Sequence, residues 1–510
     1  MYKKVCVRLL KLISIKKNFT ITIKMPMKTN IRQAFFCLML ATCFGTAFAQ
    51  PIQLHPHNKH YFLYNGKPTV LVASTEHYGS IVNPDFNYEL YLRTLAKIGL
   101  NHTRVFLGDY AEKPGDFCIV NNPLVPASGK FLAPWQRTAV PGFALGGNKF
   151  DLNKWDTAYF NRLHGFFKLA SELKITVEAV LFFVGMSWPD MPFNTANNIN
   201  GTTAITNQQY MTVNNGNILN YQKKYVQKIV KELNKYDNLI LNIANEPWFF
   251  NQEHSGFSSP TTDASKNWIN VVSGWIVNEE KQLPKKHLIS VDYTNEGRKI
   301  TKAENDKYWQ HISVFNHHYD KYAESVKLNY GINKVLSFNE NGLMPVSSPQ
   351  YRIQGYRYLL NGGGLYNHLD FSFQVGHEDG SGGTDFTCLG YNASTNKQTK
   401  FEMKALLDFV NSFDFVHTRP NKNVIAVTFG DRDISVLENP GKEYAIYVAG
   451  GSNTGMLLQL VAGKYKARWI NPADNGIIKE EEITTKENGE IRLVEPAYKE
   501  DIALLLKRIF

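Results

Sequence analysis

The sequence predicts a closed barrel of eight parallel strands with intervening helices, an α/β fold of the (β/α)8 TIM type, followed by a small all-β sandwich. Three observations carry this. Between about Tyr61 and Phe413, short β-branched or apolar runs alternate with amphipathic helical stretches, and the runs number eight, as such a barrel needs. Two of the runs close on a carboxylate: Leu239–Ala244 leads into Asn245-Glu246-Pro247, and Val335–Phe338 into Asn339-Glu340-Asn341-Gly342. Beyond about Val416 the helices stop, and short strands separated by Gly, Asn and Asp turns take over.

The chain opens on a segment of different character. Residues 1–49 hold nine Lys and Arg and no Asp or Glu. Lys28 and Arg32 form a basic region, Ala34 to Phe48 an apolar one, and Ala47-Phe48-Ala49 a small-residue cleavage site before Gln50. The segment reads as an export signal, with Met27 as an alternative start, and the mature chain as secreted or periplasmic. Its apolar run of about 15 residues is short for a membrane span. Leu40-Ala41-Thr42-Cys43 loosely resembles a lipoprotein box, but the Thr before the Cys disfavours an outer-membrane lipoprotein. No later run is long and apolar enough to cross a membrane, so no transmembrane segment is expected in the mature chain.

The expected barrel strands are Thr69–Ala73, His102–Phe106, Thr176–Phe183, Leu239–Ala244, Leu288–Asp292, Ile312–Asn316, Val335–Phe338 and Gly364–Leu369. Between them, Phe160, Leu163, Phe167, Ala170 and Leu173 recur at helical spacing, as do Tyr225, Ile229, Val230 and Leu233. Asn83-Pro84-Asp85 reads as a helix start before Leu90 and Leu92. A doubly wound open sheet is the alternative; eight units with both carboxylates at strand C-termini favour closure. Two long connections, Asp109 to Phe150 and Pro189 to Asn217, are expected to overhang the barrel mouth and shape a cleft. The C-terminal strands are Val424–Phe429, Ile434–Leu437, Tyr444–Val448, Met456–Leu460, Tyr465–Ile470, Ile491–Val494 and Ile502–Leu506. The expected domains are thus a leader (1–49), a barrel (50–415) and a β-sandwich (416–510).

Composition narrows the function. A hydrophobic share of 43% and an aromatic share of 13% supply a core and leave rings for binding surfaces. The formal charge of +11 would suggest a nucleic-acid partner, but nine of those charges lie in the leader and only +2 remains, too little for a polyanion. Of five cysteines, Cys118 and Cys388 lie beyond the leader; they allow one disulfide and no metal-spaced cluster. No His-x-x-x-His or comparable ligand spacing occurs, so neither a metal nor another cofactor is expected.

Glu246 and Glu340 lie far enough apart for three strand–helix repeats at about 30 residues each. Either alone would pass as an ordinary strand-end glutamate. As a pair on alternating units they match what acid-catalysed glycoside cleavage through a covalent intermediate requires: one carboxyl protonated for the leaving alcohol, one ionised to attack. Glu246 reads as the acid/base and Glu340 as the nucleophile, whose charge helps to keep Glu246 protonated. Asn245 stands where it can hydrogen-bond a sugar 2-hydroxyl. His77 and Tyr78, with Glu76, follow strand one and can face sugar hydroxyls. Trp135, Trp188, Trp248 and Phe249 lie on or near top-face loops, where flat rings can stack on sugars or fill core. Glu178 reads as part of a buried polar network, and Glu378, Asp379 and Asp385 as a solvated lid.

Here the chain resembles a family. Its layout is similar to the clan A glycoside hydrolases, the cellulase-like family 5 group and its relatives, over roughly residues 60–415. Asn245-Glu246-Pro247 closing strand four matches the acid/base motif, and Glu340 closing strand seven the nucleophile. Asn101-His102-Thr103-Arg104 looks like the Asn-x-x-Arg whose arginine bonds the nucleophile, although Arg104 also fits a structural ion pair. His317-His318-Tyr319 is similar to the His-x-Tyr that lines the catalytic subsite, which favours His317 and Tyr319. The group usually places a Trp after strand eight as a sugar platform; here Leu365-Tyr366-Asn367-His368 stands instead, with Tyr366 as the substitute. The C-terminal segment, with Trp469-Ile470-Asn471-Pro472, looks like the collagen-binding-like sandwich often fused to such barrels and reads as a packing or accessory module. The resemblance implies a retaining β-glycoside hydrolase acting on a carbohydrate substrate. A transglycosylase on the same scaffold and a non-catalytic carbohydrate- or matrix-binding protein are the alternatives; intact Glu246 and Glu340 argue against the last.

Overall fold

The computed structural model describes residues 50–510 apart from 184–187, 250–259, 343–347, 384, 389–390, 395–396, 429, 431, 452–454, 488 and 510. The leader lies outside the described residues. Gln50–Phe510 forms one compact unit.

Eight parallel strands build the barrel: β1 (Leu71–Thr75), β2 (His102–Phe106), β3 (Thr176–Phe182), β4 (Leu239–Ala244), β5 (Leu288–Asn295), β6 (Val314–His318), β7 (Val335–Glu340) and β8 (Leu365–Leu369). They are hydrogen-bonded in the order β1-β8-β7-β6-β5-β4-β3-β2. No ladder joins β1 to β2. Instead the Asn101 side chain clips that seam: its Nδ2 donates to the Val70 carbonyl at 2.8 Å, and the Val72 N–H donates to its Oδ1 at 2.9 Å. The sheet is therefore a closed barrel rather than an open one. The helices that cover it are α1 (Tyr88–Ile98), α2 (Thr157–Glu172), α3 (Ile218–Leu233), α4 (Asp263–Glu280), α5 (Lys302–Tyr308), α6 (Glu324–Asn329), α7 (Ser348–Leu360) and α8 (Thr399–Asn411). The helix α1 starts later than Asn83-Pro84-Asp85 suggests, because Asn87 caps it, accepting from the Leu90 N–H at 3.1 Å.

The barrel floor is plugged by an N-terminal meander of Gln53–Leu54, Phe62–Tyr64 and Lys67–Thr69, pieces too short to read from the sequence. Ile52, Phe62 and Tyr64 pack there against Leu71, Ile240, Val314, Val335 and Leu365, which lie at or near the N-terminal ends of their strands. The mouth is thus the open end. Part of the first long connection is an antiparallel hairpin, Trp135–Pro141 with Asn148–Trp155. Trp135 is buried against Phe193 and Tyr225 and serves as core.

After α8 come β9 (Arg419–Pro420), β10 (Ile425–Thr428), β11 (Asp433–Asn439), β12 (Glu443–Ala449), β13 (Met456–Leu460), β14 (Gly463–Asn471), β15 (Gly476–Thr485), β16 (Gly489–Leu493) and β17 (Asp501–Arg508). They form a six-stranded antiparallel sheet, β9-β11-β12-β17-β14-β15, and a three-stranded one, β10-β13-β16. One face of the larger sheet (Ile446, Val448, Trp469, Leu504) packs on the smaller (Met456, Leu458). The other face (Leu437, Tyr447, Ala503, Leu505) joins the barrel core. Period-2 alternation with both phases apolar is the mark of a sheet covered on both sides. The strand β15, Gly-Ile-Ile-Lys-Glu-Glu-Glu-Ile-Thr-Thr, is absent from the expected set because its charges hide the alternation. As an exposed edge strand it pairs them with β14, Glu482 to Lys464 and Glu480 to Lys466 and Arg468. Trp469 is core, its Nε1 donating to Glu481 at 3.1 Å.

Candidate active site

Buried charge concentrates inside the barrel, from mid-strand on β2, β3 and β5 to the C-terminal ends of β4, β6 and β7. Glu178 on β3 and Asp292 on β5 form its lower layer, ringed by amides that inward-facing positions bring together. Asp292 Oδ1 accepts from the Nδ2 of Asn242, Asn316 and Asn339 at 2.8, 3.0 and 3.3 Å. Glu178 accepts from Ser290, Asn316, Asn242 and Asn339 at 2.6 to 3.2 Å. Arg104, fully buried, spans the layer: Nη2 donates to Asp292 at 2.9 Å and to Asn245 at 2.8 Å, Nη1 to Glu340 at 3.1 Å, and Nε lies 3.3 Å from Glu178. The tightly paired carboxylates hold the guanidinium charged against the cost of burial.

Above it, one carboxylate oxygen of Glu246, one of Glu340 and a ring nitrogen of His318 all lie within 4.8 Å of one another. His318 Nδ1 is 3.3 Å from Glu246 and 3.6 Å from Glu340, and its Nε2 is 3.1 Å from Asp292 Oδ2. Burial alone would lower the His318 pKa, but Glu340 and Asp292 outweigh it and raise the ring to about 10. Burial pushes the Glu246 carboxyl above its ordinary range; the hydrogen bond from His318 pulls it back, and the Glu340 charge adds to the rise. Burial would also raise Asp292, yet Arg104 and His318 hold it well below the usual carboxylate range. Among the described residues these three groups, Glu246, His318 and Glu340, are the one cluster with metal-ligand spacing.

The backbone bends sharply where it delivers these groups. Glu246, Tyr78 and Tyr319 have φ of 44°, 57° and 54°, left-handed values that cost a non-glycine residue about 1–2 kcal/mol each. Tyr319 follows His318, and its N–H donates to the Glu340 carbonyl at 3.2 Å. Its phenol is raised well above 10 by burial and then by the two glutamates. The Tyr78 ring lies 4.7 Å under the Arg104 guanidinium. His77 is buried beside it, its Nε2 3.0 Å from Glu112, which Asn122 also bonds. Burial opposes protonation of His77, but Glu112 and then Glu340 raise it. Close approach fixes this corner: a Cβ on Gly79 would lie 2.0 Å from the Pro123 carbonyl oxygen. Trp248 is buried edge-on to His318, ring centroids 5.3 Å apart at 79°.

The expected residues therefore divide. Glu246, Glu340, Asn245, Arg104, Tyr319, Tyr78, His77 and Trp248 gather at the mouth. His317 does not. Inward and outward positions alternate along β6, so Asn316 and His318 face in while His317 packs edge-on to Tyr293 outside, where burial lowers its pKa to about 3. Tyr366 is also outward, buried edge-on to Phe338 with its hydroxyl donating to the Tyr351 carbonyl at 2.9 Å, so it offers no sugar platform. Glu76 turns back, accepting from Gly79 N, Ser80 N and Ser80 Oγ. Glu378 is buried and accepts from the Asn87 N–H, a loop anchor rather than a solvated lid; the Asp385 side chain lies outside what is described. Cys118 is in a disulfide. The sequence reading missed Asp292 and His318. Their signal was positional: His318 follows Asn316 by two and Asp292 follows Ser290 by two, the parity of inward side chains.

No protein-family model matches the chain, and none of the curated proteins does. Solved structures do. One described as a glycoside hydrolase aligns with a TM-score of 0.57 at 13% identity, over 90% of this chain and 97% of that one. A glycoside hydrolase family 5 structure from Bacteroides vulgatus aligns with a TM-score of 0.58 at 14% identity, over 90% and 93%. At such identities the likeness is one of fold.

Proposed function

We propose that the chain is an exported glycoside hydrolase that cleaves β-linked glycosidic bonds of a polysaccharide or oligosaccharide by the retaining double displacement. The observation that carries the reading is the approach of Glu246 and Glu340 at the barrel mouth, nearest atoms within 4.8 Å. Between whole carboxyl groups, retaining pairs stand about 5–5.5 Å apart and inverting pairs about 6.5–9.5 Å, so the carboxyl separation is the quantity that decides between the two, and the retaining reading rests also on the resemblance of the strand-end motifs. Glu246, raised by burial, gives its proton to the glycosidic oxygen as Glu340 bonds the anomeric carbon and the leaving alcohol departs. Water then attacks the glycosyl-enzyme, loses its proton to Glu246 and frees Glu340. Arg104 bonds and aligns Glu340, and Asn245, held by Arg104, presents its amide toward the sugar. The shared fold of solved glycoside hydrolases supports this assignment, as does the resemblance of the Glu246 and Glu340 strand ends to the family motifs.

Leaving-group chemistry tests it. Once a panel of aryl glycosides has found a substrate, Glu246→Ala should still be glycosylated by a dinitrophenyl glycoside, which needs little protonation. Glycosyl-enzyme should accumulate, azide should restore turnover and give a glycosyl azide of retained configuration, and natural polysaccharide should stay nearly uncut. Equal loss on both substrates with no azide effect would remove Glu246 from the acid/base role.

A further inference from the structure

Asp292 is buried away from any position open to substrate, yet it is bonded to three parts of the candidate machinery. Its Oδ2 accepts from Arg104 Nη2 at 2.9 Å, from the Glu246 backbone N–H at 3.3 Å and lies 3.1 Å from His318 Nε2. Its Oδ1 accepts only from three asparagine amides, on β4, β6 and β7. Every partner is thus a donor, and the carboxylate is fully buried. An amide in its place would turn its own NH2 toward donors on one side. With Nε2 committed to Asp292, the other nitrogen of His318 faces two carboxylates, at 3.3 and 3.6 Å.

We propose that Asp292 is the positioning residue of this site, holding His318 as a cation between Glu246 and Glu340 while it fixes Arg104 and the left-handed turn at Glu246. The inference rests on the reading of those glutamates as acid/base and nucleophile. Facing His318 are Glu246 from the end of β4, Asp292 from β5, Glu340 from β7, and Trp248 and Tyr319; Arg104 reaches it through Asp292 and Glu340, and its neighbour His317 is neutral. The cation lowers the proton affinity of Glu246, opposing the rise that burial imposes. Without the Asp292 charge His318 loses one of the two carboxylates that chiefly hold its proton, the other being Glu340, so the ring releases it at lower pH. The nearer charge decides the outcome, so Glu246 then binds its proton more tightly.

The experiment is a titration of the full chain with isotope-labelled histidine, read by NMR, beside pH–rate profiles on an aryl glycoside. In the wild type the His318 imidazolium should persist above pH 8. Its signal should vanish in His318→Gln, titrate at lower pH in Asp292→Asn and stay in place in Glu112→Gln, which removes the carboxylate beside His77. Asp292→Asn should lower kcat about 10–100-fold, with KM little changed, as for groups that orient a ligand or catalyst from behind. The limb of its profile set by Glu246 should move up by about 1–3 units, and Asp292→Glu should return it toward wild type. A wild type with no His318 imidazolium at pH 8 overturns the proposal, as does an Asp292→Asn variant in which the His318 titration or the Glu246 limb stays put. Should Asp292→Asn fail to fold, the wild type and His318→Gln still decide where the cation is. An enzyme inactive on every glycoside would overturn the reading of the glutamates, while the titration would still report on Asp292 and His318.

Discussion

At the residue scale, function and burial separate cleanly. Glu340→Gln nearly preserves shape but removes the oxygen proposed to attack, so kcat should fall by ~10⁴-fold or more with the fold retained. Wild-type rates would mean that another group attacks. Tyr366→Phe should leave turnover intact and cost about 1 kcal/mol, since it deletes one buried hydrogen bond to the Tyr351 carbonyl; a large change in KM would restore it as a sugar contact. Stability should also follow pH in a stated sense. His318, raised from 6.5 to about 10, stabilises the fold fully below 6.5 and loses that stabilisation as pH climbs through 10. Asp292, depressed from 3.8, contributes above 3.8 and is lost as pH falls through its lower folded value. Melting temperature should therefore decline from pH 7 to 10, and His318→Gln should flatten that decline.

At the scale of elements, two residues three apart on one strand approach divide the labour. Arg104 serves the site, whereas Asn101 closes the β1–β2 seam, a junction with no ladder of its own. Asn101→Ala leaves the Val70 carbonyl and Val72 N–H without those partners and should destabilise by about 1–3 kcal/mol. Amide exchange at β1 and β2 should rise first, with the pH–rate profile unmoved. The eight strands were legible to within a few residues because each is a short apolar run bounded by turn residues. The floor meander and the 135–155 hairpin were not, because their pieces are short or polar and are defined by partners distant in sequence. The inward parity of β6 was legible too; a motif match drew attention to His317, although strand alternation from Asn316 selects His318.

At the scale of the whole molecule, the C-terminal sheets are bound into the barrel. Arg352 on α7 donates Nε and Nη2 to Asp501 on β17 at 3.0 and 2.8 Å and lies 3.1 Å from Glu402 on α8. Tyr356 stacks on Tyr447, centroids 4.8 Å apart. Both faces of the larger sheet are apolar and covered. Removal of residues 416–510 would bare a contiguous patch on α7 and α8, so the shortened chain should aggregate, and the full chain should melt in one calorimetric transition. Arg352→Met strands a buried carboxylate and should cost about 3–5 kcal/mol. Two separate transitions would instead make the sheets an independent module.

The sequence by itself determined the barrel, its order of strands and the two glutamates that close β4 and β7, because local periodicity and strand-end position are properties of short segments. Only the tertiary structure decided which polar side chains meet. Asp292, Glu178 and three asparagines come from five different strands, and nothing local marks them as one network. Parallel strands tilted into a closed barrel bring their inward positions into a common layer, and a charge buried in that layer persists only where donors from other strands surround it.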